Sequence, residues 1–395
     1  MSDLRGASRL AVYAVTGITS LAEALHGAIA KKYTRLAGPI VGGAIDGVTD
    51  AVYKSIRGVT RGIGARLDHA LEAIDPVLHR LESSPTREAL VGALNGVLGD
   101  YLAESKNSLA ISMHLRRNGQ PLELTRGTLA AAIAKPSAKV VVLVHGLCMN
   151  DLRWARKGHD HGAALERDLG FTAVYLHYNS GLHVSRNGRE FANMLDALAA
   201  AWPVPLEKLC IIGHSMGGLV ARSAHHYASA AGYRRSGKRH SMIFLGTPHH
   251  GVPLARTGQW LERLWDKTPY TVPFARLAKL RSSGIDDLRL GYLRDEDWQG
   301  PDRLAQDRAS RTPLALPADV RCFAIAATLA HARAPLRERL IGDGLVPVPS
   351  ALGQHRDPRF ALAFPESHQR IVYGANHLDL LNRAVVYQQI RRWLC

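Results

Sequence analysis

The chain has 395 residues, 46% hydrophobic and 21% charged, which suits one large folded domain with a smaller one and excludes a disordered chain. Its formal net charge is +16, and residues 1–110, with twelve basic and eleven acidic side chains, hold almost none of it. So basic a body favours anionic partners, but zinc-finger spacing and aromatic RNA-binding motifs are missing, which sets nucleic acid aside and leaves an Arg-rich soluble protein as the plain reading.

In chain order, Ile18, Leu21, Leu25 and Ile29 form a first helical stripe, and Pro39 suits the first turn of a second helix. From Val41 to Ala73 three blocks of eleven residues follow: VGGAIDGVTDA, VYKSIRGVTRG and IGARLDHALEA. Their apolar positions step by four and three, and eleven residues make three turns, so the stripe stays on one face. Pro76 ends or kinks that helix, and SSPTREALVGALNGVLGDYLAES reads as another. Residues 1–107 are therefore expected to be an α-helical domain. Three roles stand for it: a bundle packed on the rest of the chain, an amphipathic membrane or lipid-surface helix, or an oligomerisation coil giving a homo-oligomer. Charges at repeat-equivalent positions alternate, as Asp46, Arg57, Asp68 and as Asp50, Arg61, Glu72, which favours a partner helix over a uniformly anionic surface.

At LAISMHLRRNGQPLEL the period changes to two, and Asn118-Gly119 marks a hairpin at roughly 108–125. Beyond it strands and helices alternate. KVVVLVHG, TAVYLHYN, KLCIIGHS, SMIFLGTP, VRCFAIAAT and QRIVYGAN read as strands, with helices at about 187–201, after GHSMG, and through LDLLNRAVVYQQIRRWL at the end. That order predicts a mostly parallel sheet with helices on both faces over 108–395, with sites at the strands' carboxyl ends. Residues 249–316 are a long insertion in which Trp260, Leu261, Leu264 and Trp265 have helical spacing, a candidate cap or lid over an acyl pocket.

Gly213-His214-Ser215-Met216-Gly217 fits G-x-S-x-G between an apolar strand and a Gly-led helix. The glycines allow a sharp turn that lifts the Ser215 hydroxyl, and the Met216 N–H at the helix start suits an oxyanion. A serine nucleophile needs a base that follows an acid in the chain. His377, after the last strand, fits as the base, and Asp343, flanked by glycines, as the acid. Asp319 lies at the wrong end of its strand, and Asp379 suits a helix N-terminus. His145 and Gly146 lead an oxyanion loop in which the Leu147 N–H is the second donor, and His214 packs within the elbow. His249 and His250 read as loop packing rather than a metal site, and no metal or cofactor is expected.

LVHGL, GHSMGG, LGTPHHG, GDGLVP and GANHLDLL, in this order, resemble the α/β-hydrolase superfamily over about 138–395. The likeness is to bacterial lipases and esterases near the GPI-inositol-deacylase-like (PGAP1-like) group. It implies a carboxylic ester hydrolase acting on an ester or lipid substrate, with Ser215, His377 and Asp343 as triad and Leu147 and Met216 as oxyanion donors. An acyltransferase using the same triad, or a lipid-surface or assembly protein with a secondary hydrolase fold, stand as alternatives. Cys148, Cys210, Cys322 and Cys395 form no CxxC pair and suit a reducing, cytoplasmic setting with peripheral membrane association left open. Secretion is disfavoured because Glu23 and His26 closely follow a short apolar N-terminal run, and no eighteen-residue apolar run predicts a membrane span.

Overall fold

The computed structural model describes residues 84–232, 239–252, 282–299, 311–331 and 341–395. The eleven-residue repeats and much of the expected cap, including Trp260 and Trp265, lie outside the described residues. The chain divides into two compact units, Met1–Leu90 with Leu261–Leu280, and Val91–Trp260 with Arg281–Cys395. Of the first unit, the described residues are 84–90.

The second unit is built in the order α1 (Pro85–Glu104, from Val91 on), β1 (His114–Arg117), β2 (Gln120–Pro121), α2 (Arg126–Ala132), β3 (Lys139–Val144), α3 (His161–Leu169), β4 (Thr172–His177), α4 (Val184–Ala201), β5 (Lys208–His214), α5 (Met216–Ala230), β6 (Arg239–Leu245), α6 (Ser283–Leu290), β7 (Arg321–Thr328), α7 (Val348–Ala351), β8 (Gln369–Tyr373) and α8 (Ala384–Leu394). In this division α1 from Val91 onward belongs with the sheet. Buried Asn95 shows why: its Nδ2 donates to Leu109 O at 2.7 Å and its Oδ1 accepts from Ile111 N at 2.9 Å, tying the helix to the lead-in of β1.

The eight strands form one sheet in the order β2-β1-β4-β3-β5-β6-β7-β8. β1 pairs antiparallel with β2 and with β4, as the Asn-Gly hairpin and period-two pattern predict. All later pairings are parallel. Val140 to Val144 of β3 and Leu209 to His214 of β5 are buried throughout, the continuous apolar run of a strand covered on both faces. The register sets Val144 beside Gly213 and His214 beside Leu245, so the loops after β3, β5 and β6 leave the same edge of the sheet. The sheet is thus mostly parallel, with its central strands covered on both faces and its strand ends gathered at one rim.

Local signals fix several elements. Asp160 caps α3 by accepting from Ala163 N at 3.0 Å, and Gly170, at φ +66°, ends it. The C-terminal helix, read from sequence as running on from Leu378, instead begins at Ala384. Asn376 and Asp379 form a reciprocal capping box that closes His377–Leu381 as a 3-10 turn first. No helix among the described residues is long and apolar enough to cross a membrane.

Candidate active site

β5 ends at His214, and Ser215 follows with φ +54° and ψ −123°, a strained conformation for a residue with a side chain. Its N–H donates to Leu245 O at 2.9 Å, which pins the turn to β6. The flanking glycines are steric requirements. A Cβ on Gly217 would sit 2.6 Å from His145 O, and one on Gly213 would sit 2.6 Å from Gly218 N. The strand thus delivers Ser215 at the head of α5, where Met216 is the first helical residue.

Asp343 lies in the loop after β7, buried, with Oδ1 accepting from Leu345 N at 3.0 Å and Val346 N at 2.8 Å. Those two donors orient its other oxygen, Oδ2, which accepts from His377 Nδ1–H at 2.7 Å. With that proton on Nδ1, Nε2 carries the lone pair a base needs. His377 Nε2 and Ser215 Oγ are both buried and neither has a hydrogen-bond partner among the described residues. His214 joins the two segments: it precedes Ser215, its ring lies 4.6 Å from the His377 ring, and its Nε2–H donates to His377 O at 3.2 Å. Burial holds the His214 pKa well below the ordinary histidine value, which keeps the ring neutral and able to make that single donation.

The loop after β3 completes the rim. A Cβ on Gly146 would lie 3.0 Å from Ser215 Cβ, so the Gly146 backbone passes directly beside the serine. His145 is fully buried; burial depresses its pKa to about 3, its Nδ1 faces Gly146 O at 2.9 Å, and its ring stacks on Tyr178 at 4.4 Å. Among the described residues neither the Leu147 N–H nor the Met216 N–H is spent on an acceptor.

The competing residues are committed elsewhere. Asp379 Oδ2 accepts from Asn376 N at 3.1 Å and from Arg383 Nη2 at 3.2 Å. Asp319 is exposed, 3.6 Å from His225 Nε2. His368 Nδ1 faces Cys322 O at 3.0 Å. His249 Nδ1 accepts from Arg222 at 3.4 Å and His250 Nδ1 from Arg311 at 3.0 Å. Sequence reasoning missed the loop after β4. There Tyr178 donates its hydroxyl to His145 O at 2.8 Å, and Ser180 Oγ accepts from Cys148 N at 3.1 Å. The signal available was only a Tyr-Asn-Ser run at a strand's carboxyl end.

Residues 135–311 match the family described as the PGAP1-like alpha/beta domain. No curated protein matches the chain. Among solved structures it is similar to the mature lipase BlEst2 of Bacillus licheniformis, at 19% identity over 72% of this chain and 98% of that one, with a TM-score of 0.40. It is also similar to an esterase of Pyrococcus furiosus, at 17% identity over 65% of this chain and 81% of that one, TM-score 0.36. A third likeness is to phospholipase PlaB of Legionella pneumophila, at 17% identity over 54% and 45% of the two chains, TM-score 0.34. Residues 135–311 are therefore similar to the PGAP1-like alpha/beta domain, and they lie within the unit built on the mostly parallel eight-stranded sheet.

Proposed function

We propose that the protein hydrolyses carboxylic esters, lipid esters among them, with Ser215 as nucleophile, His377 as general base and Asp343 as its orienting acid. The observation that carries this reading is the 2.7 Å Asp343–His377 contact, with Nε2 left open at a rim shared with a strained, unpartnered Ser215. In the first step Ser215 Oγ bonds to the acyl carbon while its proton passes to His377 Nε2. The imidazolium so formed is stabilised by the Asp343 carboxylate. The carbonyl oxygen becomes an oxyanion between the Leu147 and Met216 N–H groups. Collapse breaks the ester C–O bond, and the leaving alcohol takes the proton from His377. Water then attacks the acyl-serine by the same route in reverse roles, releasing the acid and restoring the hydroxyl.

The sheet unit, from Val91 on, is the whole of this machinery in our reading, and the residues before it serve as a scaffold or partner surface. The four cysteines are unpaired and three are buried, which supports a reducing, cytoplasmic compartment. A panel of p-nitrophenyl esters of increasing acyl length tests the reading. Turnover that disappears in Ser215→Ala supports it; turnover that persists in that variant assigns the chemistry to another group.

A further inference from the structure

The Leu147 donor has no hydrogen bond of its own to hold it, so something else must fix its loop. The next residue, Cys148, is held in the left-handed region at φ +58°, which a non-glycine side chain adopts only when its surroundings impose it. Two supports meet there. Ser180, from the loop after β4 and 1% exposed, accepts the Cys148 N–H at 3.1 Å. Gly96 of α1 backs the same peptide: a Cβ at Gly96 would lie 2.7 Å from Cys148 Cα and 2.8 Å from Cys148 N. These are backbone atoms with no rotamer to escape into.

α1 holds the Ser180 loop as well. Asn179 Nδ2 donates to Gly99 O at 2.8 Å, and Ser282 Oγ donates to Gly96 O at 2.7 Å. Gly284, two residues on, donates its N–H to Gly181 O at 2.9 Å. Helix, β4 loop and the start of α6 therefore form one bonded frame around Cys148. The frame reaches outside the segment 135–311, since Gly96 precedes it by about forty residues.

Building on the reading of Leu147 as an oxyanion donor, we infer that Ser180 and Gly96 are positioning residues that hold Cys148 and, through it, the neighbouring Gly146–Leu147 peptide that carries the donor N–H. Removing the Ser180 acceptor frees the Cys148 N–H, and the donor peptide next to it loses its anchor. Adding a methyl at Gly96 displaces the Cys148 backbone from its place. A misplaced donor costs transition-state stabilisation while ground-state binding is kept, so the loss falls on kcat and not on KM. Displacements of ~1 Å at such a site cost on the order of 100-fold.

The test is steady-state hydrolysis of p-nitrophenyl butyrate by the full chain and by Ser180→Ala, Gly96→Ala and Leu102→Ala. Leu102 is fully buried on the same helix, and its truncation destabilises without removing a hydrogen bond to the Cys148 loop. We expect kcat to fall roughly 10- to 100-fold in Gly96→Ala and about 5-fold in Ser180→Ala, with KM within about twofold. Leu102→Ala should keep its kcat while losing melting temperature. Ser180→Ala adds no atoms, so it decides the matter if Gly96→Ala does not fold. A wild-type enzyme that turns over, beside a folded Ser180→Ala of equal kcat, overturns the inference, as does an equal kcat loss in Leu102→Ala. A wild-type protein with no esterase activity counts instead against the function proposed above.

Discussion

Acid should unfold this protein at a pH where most carboxylates are still ionised. His145, His214 and His249 are fully buried, and burial holds each below the ordinary histidine pKa, His145 at about 3 and the other two well below 6.5. In the native state these rings are neutral; in the unfolded chain they take a proton below about pH 6.5. The unfolded state therefore binds more protons, and stability falls as pH falls from the unfolded value toward the folded one. Each ring costs slightly over 1 kcal/mol per pH unit in that window, about 4 kcal/mol for the three by pH 5.5. That is a large share of the ~5–15 kcal/mol that holds a typical domain together. Asp287 and Glu190, whose carboxyls desolvation pushes above their usual pKa, work in the opposite direction, while buried His161, depressed to about 4, adds to the three rings. Thermal melts at pH 7.5, 6.5, 5.5 and 5.0 should show a steep drop below pH 6.5. His145→Asn should start less stable and lose less with acid. A melting temperature level between pH 7.5 and 5.0, or a His145→Asn profile parallel to the parent's, would refute the assignment of these rings as buried and neutral.

Other substitutions test separate parts of the account. Asp343→Asn removes the charge facing His377 Nδ1 and should lower kcat by at least about 100-fold with little change in melting temperature, read by ester hydrolysis. Gly217→Ala drives a methyl into the Val144 and His145 carbonyls and should cost ~2 kcal/mol or more in urea unfolding, or abolish soluble expression. Asp287→Ala strands the Val184 N–H, which the carboxylate accepts at 2.7 Å, and should cost about 1–3 kcal/mol in the same assay.

The parts of this molecule legible in its sequence are those where one residue type answers one local demand. Continuous apolar runs gave β3 and β5 because strands covered on both faces have no polar side to show. Gly213 and Gly217 were readable because the turn at Ser215 leaves no room for a Cβ beside it. The meeting of Asp343 with His377 spans 34 positions, and chain order with glycine flanks was enough to point to both. α3 went unread although Asp160 and Gly170 bracket it as cap and stop, because its nine residues carry too little apolar periodicity to draw notice. Ser180 and Gly96 were beyond reach for a different reason. A serine after a strand and a glycine in a helix announce close contact or a hydrogen bond, but only the assembled fold says with what. The same holds for α1, whose sequence shows a helix but not that its later turns belong with the sheet.

The central claim is that Ser215 is a nucleophile activated by His377. A fluorophosphonate, which phosphonylates a serine hydroxyl only when a base and an oxyanion site act on it, tests that claim most directly. The folded protein should gain one adduct, located by peptide mass spectrometry on Ser215, and His377→Ala should slow its formation by at least about 100-fold. Native protein that stays unlabelled, or an adduct on a residue other than Ser215, would contradict the account.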